Sequence, residues 1–275
     1  MNYLEPLDIL GGDFGDLYDE LPLWSAPFGR MLLERVPLRN GQTILDVGAG
    51  TGFLTLELAQ RCGPTSTVYA VDPWASAMTR LRKKLARLGL DNVRLLEQDA
   101  ATMDLPDASV DLVVSNLGVN NFENAPAVLA TCGRLLKPGG ALFLTSNLVG
   151  HMQEFYDVYG AVLGELGLAD RIPALDAHVG HRATLESLER MLTGAGFTVY
   201  EAATDTMTMR FADGSALLRH HFIRLGFLPA WRAIVTPELE ARTFETLERR
   251  LNEVAAARGE LALTIPMACV EARRP

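Results

Sequence analysis

Between residues 44 and 52 the chain reads Ile-Leu-Asp46-Val-Gly48-Ala49-Gly50-Thr-Gly52, where an apolar β-branched run gives way to a helical pattern. Glycines at such a junction let the backbone turn sharply and approach a ligand without a Cβ in the way. The start of the helix offers free N–H groups. A dinucleotide fingerprint G-x-G-x-x-G would put its third glycine at position 53, which is Phe53. Pyrophosphate binding is thereby disfavoured, and the negative charge of Asp46 beside the loop suits a cationic ligand. Twenty residues past Gly52, Asp72 ends the second β-type run, where a carboxylate can accept both hydroxyls of a ribose. After the third run, Gln98-Asp99-Ala100 can offer an acceptor and a backbone donor to an adenine edge. Plainer roles stand beside these: a tight turn for the glycines, a helix N-cap for Asp72 and a turn residue for Asp99. Those of the two aspartates are compatible with ligand contact.

The elements that must hold these residues follow from periodicity. Strands are predicted at 43–47, 67–72, 93–97, 110–115 and 141–146, and crossover helices at 53–61, 75–88 and 125–136, the second carrying Ala77, Leu81, Leu85 and Leu88 at helical spacing. Lys137-Pro-Gly-Gly is read as the stop of the third helix. Beyond Asn147 the pattern predicts helices at 153–166, 184–195, 215–226 and 237–258, with strands at 198–210 and 261–272. The expected fold is α/β: a doubly wound, mostly parallel seven-stranded sheet with an antiparallel edge strand and a helical cap. The expected organisation is an N-terminal helical cap segment over 1–40, a Rossmann-like core over 41–150, and a helical substrate cap over 151–275 interleaved with the last helix and strands of the core.

Leu45-Asp-Val-Gly-Ala-Gly-Thr-Gly, Ala70-Val-Asp72, Glu97-Gln-Asp99-Ala100 and Leu135-Leu-Lys-Pro-Gly-Gly occur in this order, and the series resembles the class I S-adenosylmethionine-dependent methyltransferases. The resemblance spans about residues 16–147. It implies that Gly48, Ala49 and Gly50 lie against the methionine part of S-adenosylmethionine, that Asp72 holds the ribose, and that Asp99 and Ala100 read the adenine. It further implies that Pro73 and Trp74 pack on the adenine face and that Asn116 lines the methyl end. The layout after Asn147 is similar to the small-molecule branch, of type 11/25, that includes trans-aconitate and carrier-protein malonyl methyltransferases. A small-molecule acceptor, a carboxylic acid or another metabolite, is the expectation this carries. Tyr18, Asn120, His181 and His221 are the candidate substrate residues. Tyr18 and its neighbour Trp24 lie on an amphipathic N-terminal helix, and His221 borders the apolar stripe of Leu218, Phe222 and Leu225. No catalytic group is assigned.

Two rivals stay open at this stage: a regulatory protein that binds the cofactor without methyl transfer, and a nicotinamide-dependent oxidoreductase. The formal net charge of −9 argues against a nucleic-acid partner, which would call for clustered Lys and Arg. Arg80, Lys83, Lys84 and Arg87 share one helix face and read as a solvated outer surface. The three cysteines, Cys62, Cys132 and Cys269, lack metal spacing and read as small buried hydrophobes in a reducing compartment. No metal site, membrane span or leader segment is expected, and a cytoplasmic location is. The oligomeric state is left open.

Overall fold

In the computed structural model, the described residues are 3–5, 18, 19 and 23–275. A seven-stranded sheet runs in the order β3-β2-β1-β4-β5-β7-β6. The strands are β1 (Thr43–Val47), β2 (Thr67–Val71), β3 (Val93–Leu96), β4 (Val110–Asn116), β5 (Leu136–Asn147), β6 (Thr198–Phe211) and β7 (Leu261–Arg273). β1, β2, β3, β4 and β5 pair in parallel, and β7 runs antiparallel to β5 in the pair of strands at the sheet's edge. Near-continuous apolar runs such as Ile44-Leu45 and Leu112-Val113-Val114, all at most 1% exposed, are what a parallel strand covered on both faces requires.

The chain divides into two compact units. The sheet unit comprises Gly11–Asn147, Ala183–Asp205 and Met267–Pro275. Its helices are α1 (Ala26–Leu33), α2 (Phe53–Arg61), α3 (Ala75–Leu88), α4 (Ala125–Leu135) and, later in the chain, Leu185–Gly194. α3 buries Ala77, Met78 and Leu81, and ends on Gly89 in the left-handed conformation, as helix C-termini commonly do. The helical unit comprises Met1–Leu10, Leu148–Arg182 and Thr206–Pro266. It contains α5 (Gln153–Glu165), α6 (Ile172–Gly180), three short helices between Gly214 and Arg232, and the 22-residue helix Pro237–Arg258. Its interior is aromatic: Phe155 stacks on Trp231 with centroids 3.9 Å apart, and Tyr159 meets Phe244 edge-on.

Three expectations change. β5 begins at Leu136, not at residue 141, because Lys137-Pro-Gly-Gly does not leave the sheet. Leu136 pairs with Val110 and Ala141 with Leu112, so the intervening residues form an irregularity in one strand, a place where proline and glycine are tolerated. The helix expected over 215–226 is two, Gly214–Arg219 and His221–Gly226, broken at an extended His220. The break leaves Leu217 and Leu218 on one piece and Phe222 and Ile223 on the other, all buried. Finally, α6 and the five-residue helix Leu228–Arg232 carry too short a periodic signal to predict; α6 buries only Leu175.

Of the amphipathic N-terminal helix expected to carry Tyr18 and Trp24, Ala26–Leu33 is helical, and much of the part before it lies outside the described residues. The three cysteines are free and buried. Among the described residues no helix is long and apolar enough to cross a membrane.

Candidate active site

The loop after β1 and the carboxylate after β2 are fastened together. The Gly50 amide donates to Asp72 Oδ2 at 2.8 Å, and the Trp74 amide donates to Asp72 Oδ1, also at 2.8 Å. Asp72 therefore does not cap α3 with its side chain in the usual way; it closes a two-residue turn and orients the glycine loop. An ionised carboxylate has about four lone-pair sites, so both oxygens keep capacity for further donors such as ribose hydroxyls.

The glycines of this loop do different jobs. Gly50 has φ +53°, and a Cβ built there would meet no atom of the described residues within 4 Å, so among those residues the space beside it is open. A Cβ on Gly48 would lie 3.0 Å from Gly118 Cα, and one on Gly52 would lie 2.1 Å from Leu81 Cδ1. Gly48 thus admits the start of the turn after β4, and Gly52 lets α3 pack against the loop. Ala49 is 9% exposed, and its amide is held by the Val71 carbonyl.

Asp46 is buried beneath the loop and accepts from Thr55 Oγ1 at 2.6 Å. Burial pushes its carboxyl up to about 7; the Thr55 bond opposes this and the Asp72 charge adds to it. A cation held near the loop would favour its ionised form.

Tyr18 and Trp74 meet edge to face at 5.6 Å, beside Asp72. Burial, and then the Asp72 charge, raise the Tyr18 phenol, which stays a neutral hydroxyl. Next to it, Asp19 is 12% exposed and pairs with Arg80 at 2.9 Å and with Lys84. Lys84 also donates to the Thr51 carbonyl of the glycine loop at 2.8 Å. The basic face of α3 is therefore not simply solvated: two of its four cations hold Asp19, and one of these, Lys84, also holds the glycine loop. Exposed Pro73 precedes Trp74, while Trp24 packs on Phe28 at 5.7 Å.

After β3, exposed Asp99 accepts from the Ala101 amide at 2.8 Å and starts a single 3-10 turn, with Ala100 buried behind it. This is the turn role foreseen for it, and it leaves one carboxylate oxygen without an intrachain duty among the described residues. After β4, Asn116 accepts from Thr145 Oγ1 at 2.8 Å and donates to the Ser25 carbonyl at 3.0 Å. The next residue, Leu117, takes a left-handed φ of +64°, rare outside glycine, and its amide is held by Thr145 Oγ1. Asn120 is bonded to Asn147 at 2.8 Å and to Ser146 at 2.6 Å.

The geometry gathers Tyr18, Gly48, Ala49, Gly50, Asp72, Trp74, Asn116 and Asn120 in the sheet unit. His181 and His221 belong to the helical unit. His181 is exposed and its Nδ1 lies against the His178 carbonyl; His221 is the exposed first residue of its helix, while its neighbour His220 packs edge-on against Phe211. Sequence reasoning missed Thr55, Asp19 and Asn147. Asn147 is 2% exposed, and its Nδ2 has no hydrogen-bond partner among the described residues. Its place at the end of a predicted strand, where α/β sheets bind ligands, was the available signal.

Residues 44–140 match the family model of the methyltransferase domain. Ubiquinone/menaquinone biosynthesis C-methyltransferases UbiE from Salmonella arizonae and Escherichia coli are each 29% identical over 185 residues, 64% of this chain and 72% of the relative. The fold is shared with the YcgJ protein of Bacillus subtilis, at TM-score 0.60 and 14% identity over 90% of this chain and 98% of that one. It is also shared with a putative methyltransferase of Bacillus halodurans, at TM-score 0.58 and 21% identity with the same coverage. The glycine loop and the carboxylate at the end of β2 both fall within the matched residues. Residues 44–140 are a methyltransferase domain of the type 11/25 kind, and the chain is an S-adenosylmethionine-dependent methyltransferase.

Proposed function

We propose that the chain methylates a small organic molecule, a carboxylic acid or other metabolite, with carbon as the favoured accepting atom. The observation that carries the site assignment is Asp72, held by the Gly50 and Trp74 amides beside open space at Gly50. The C-methyltransferase name of the UbiE relatives supports a carbon acceptor.

When bound, S-adenosylmethionine supplies a methyl group already activated on a sulfonium. The chain's own task is then to bind, orient and exclude water, which can account for several kcal/mol of a barrier, on the order of 7–11 in the best intramolecular cases. In this reading Gly48, Ala49 and Gly50 border the methionine part and Asp72 accepts the ribose hydroxyls. Pro73 and Trp74 cover the adenine, Asp99 and Ala100 meet its edge, and Asn116 lines the methyl end. Tyr18 closes over the ribose side. Asn120 and Asn147 present amide groups to the acceptor.

No nucleophile of the protein's own is required. A carboxylate, or a carbon acid acidic enough to lose its proton to water before transfer, needs no base on the protein, whereas a hydroxyl or amine would need one, the role for which the sequence offers His181 and His221. The first case is preferred, so either histidine changed to Ala is expected to lower turnover by less than the ~100-fold at the low end of general-base effects.

The test is incubation of the pure protein with methyl-labelled S-adenosylmethionine and a fractionated metabolite extract, followed by mass spectrometry of the labelled product. A label on carbon of a small molecule supports the proposal. Label found only on protein or nucleic acid overturns it.

A further inference from the structure

At the end of the sheet away from the glycine loop lies a cleft of about 570 Å³, formed where β1, β4 and β5 begin and β7 ends. It belongs wholly to the sheet unit. The five residues of β1 separate it from the glycine loop by about 16 Å of extended chain, so a ligand held here does not share the crevice assigned to the cofactor. Its volume is that of a small-molecule site.

The charge of the cleft runs against that of the chain. The whole sequence carries a formal net charge of −9, yet four cations and two carboxylates line this cleft. Both carboxylates are already taken. Asp111 accepts from Lys137 Nζ at 2.6 Å on one oxygen and from the Thr43 amide at 2.8 Å on the other, and Glu271 accepts from Arg273 at 2.8 Å. Arg273 also lies over the Tyr200 ring, 4.1 Å from its centroid.

Two guanidiniums are left over. Arg35 donates to the Met31 carbonyl at 2.8 Å, and the carboxylate it reaches, Glu34 at 4.0 Å, is held by Arg30 at 2.8 Å. Arg39 is fixed through its main chain, whose amide donates to Gln42 Oε1 at 2.9 Å and whose carbonyl accepts from Ser66 Oγ at 3.4 Å. Its guanidinium has no hydrogen bond or ion pair among the described residues. Gly41 and Gly139 border the same cleft, both left-handed at φ +74° and +75°, and a Cβ at either would meet no atom of the described residues within 4 Å. The main chain can therefore be approached closely there. Gly139 and Lys137 belong to Lys137-Pro-Gly-Gly, the motif for which the cofactor site has no use.

We propose that this cleft binds the phosphate group of a small molecule, with Arg35 and Arg39 as its counter-charge. Two unbalanced guanidiniums call for a dianion, and a phosphate monoester, with its second pKa near ~6, is one at neutral pH. The planar fork of a guanidinium matches two phosphate oxygens at once. A nucleic-acid strand fits less well, because beyond the cleft it would meet a negatively charged chain. Free phosphate and a phosphate monoester offer the same chemistry. The site is separate from the methyl-transfer reading and is measured without turnover.

The experiment is calorimetric titration of the full chain, at fixed ionic strength and about pH 7.5, with inorganic phosphate, ribose 5-phosphate and the monoanion acetate. Saturable binding is expected for phosphate probes and not for acetate. Affinity should fall about three- to tenfold in R39Q, recover in part in R39K, and stay within about twofold in K83Q, which removes an exposed charge on α3 outside the cleft. Tighter binding of ribose 5-phosphate identifies an organic phosphate as the ligand, and tighter binding of inorganic phosphate the free anion. Saturating S-adenosylhomocysteine should leave the affinity unchanged. No saturation of the wild type by about 10 mM of either phosphate, equal binding of acetate, wild-type affinity in R39Q, an equal loss in K83Q, or displacement by S-adenosylhomocysteine would each overturn the proposal. Thermal melts check folding, and if R39Q fails that check, the acetate and S-adenosylhomocysteine titrations decide.

Discussion

The Gly50 amide donates to Asp72 Oδ2 at 2.8 Å, joining the ends of two adjacent parallel strands. The bond holds the carboxylate ready for a ligand before one arrives, and it explains why the glycine loop and a residue 22 positions later act as one structure. Preorganisation of this kind lowers the ordering cost of binding.

Tyr18 meets Trp74 edge to face at 5.6 Å. Replacing Tyr18 with Ala removes an edge-to-face pair worth about 0.5–1.5 kcal/mol, so S-adenosylmethionine affinity should fall roughly two- to tenfold. Tyr18→Phe keeps the ring and should stay within about twofold of the wild type. Calorimetry on the two variants checks this; an equal loss in both would place the effect on the hydroxyl instead.

The loop glycines should separate by experiment. Gly50→Val puts a side chain into open space at a left-handed φ, so it should abolish cofactor binding while lowering stability only by the ~1–2 kcal/mol cost of that conformation. Gly52→Ala drives its Cβ into Leu81 at a left-handed φ, and should cost stability first, by about 1–3 kcal/mol, with binding lost as a consequence. Thermal melts beside calorimetry distinguish the two, and indistinguishable behaviour would refute the division of roles.

Asp46 makes stability depend on pH. Its folded value of about 7 lies above the ~3.9 of an unfolded aspartate, so between those values the native state holds more protons than the unfolded one. The stabilising contribution is complete below about pH 4 and is lost as pH rises through about 7. Melting temperature measured from about pH 5 to 8 should therefore decline more steeply in the wild type than in Asp46→Asn. Parallel curves would show that Asp46 does not hold the proton.

Most of the core was legible because its signals are local and redundant. β1, α2 and α3 fall within a residue of their expected bounds, since a buried apolar run, a helical stripe and a terminal glycine all agree there. Lys137-Pro-Gly-Gly misled because proline and glycine signal a turn, whereas pairing with Val110 and Arg274 keeps the chain in the sheet. The break at His220 and the contacts of Tyr156 with His178 and Trp231 depend on packing between distant segments, which periodicity does not encode. The same is true of Asp19 with Lys84, 65 residues apart, which turned an apparently solvated basic face into a fastening.

The central claim is that Asp72 receives the ribose of S-adenosylmethionine in an enzyme built for that cofactor. Calorimetric titration of wild type and Asp72→Ala with S-adenosylhomocysteine tests it most directly. The account predicts saturable binding in the wild type and a loss of ~1.5–3 kcal/mol in the variant, the range for hydrogen bonds to a charged group. No binding to the wild type, or unchanged affinity in a folded Asp72→Ala, would contradict it.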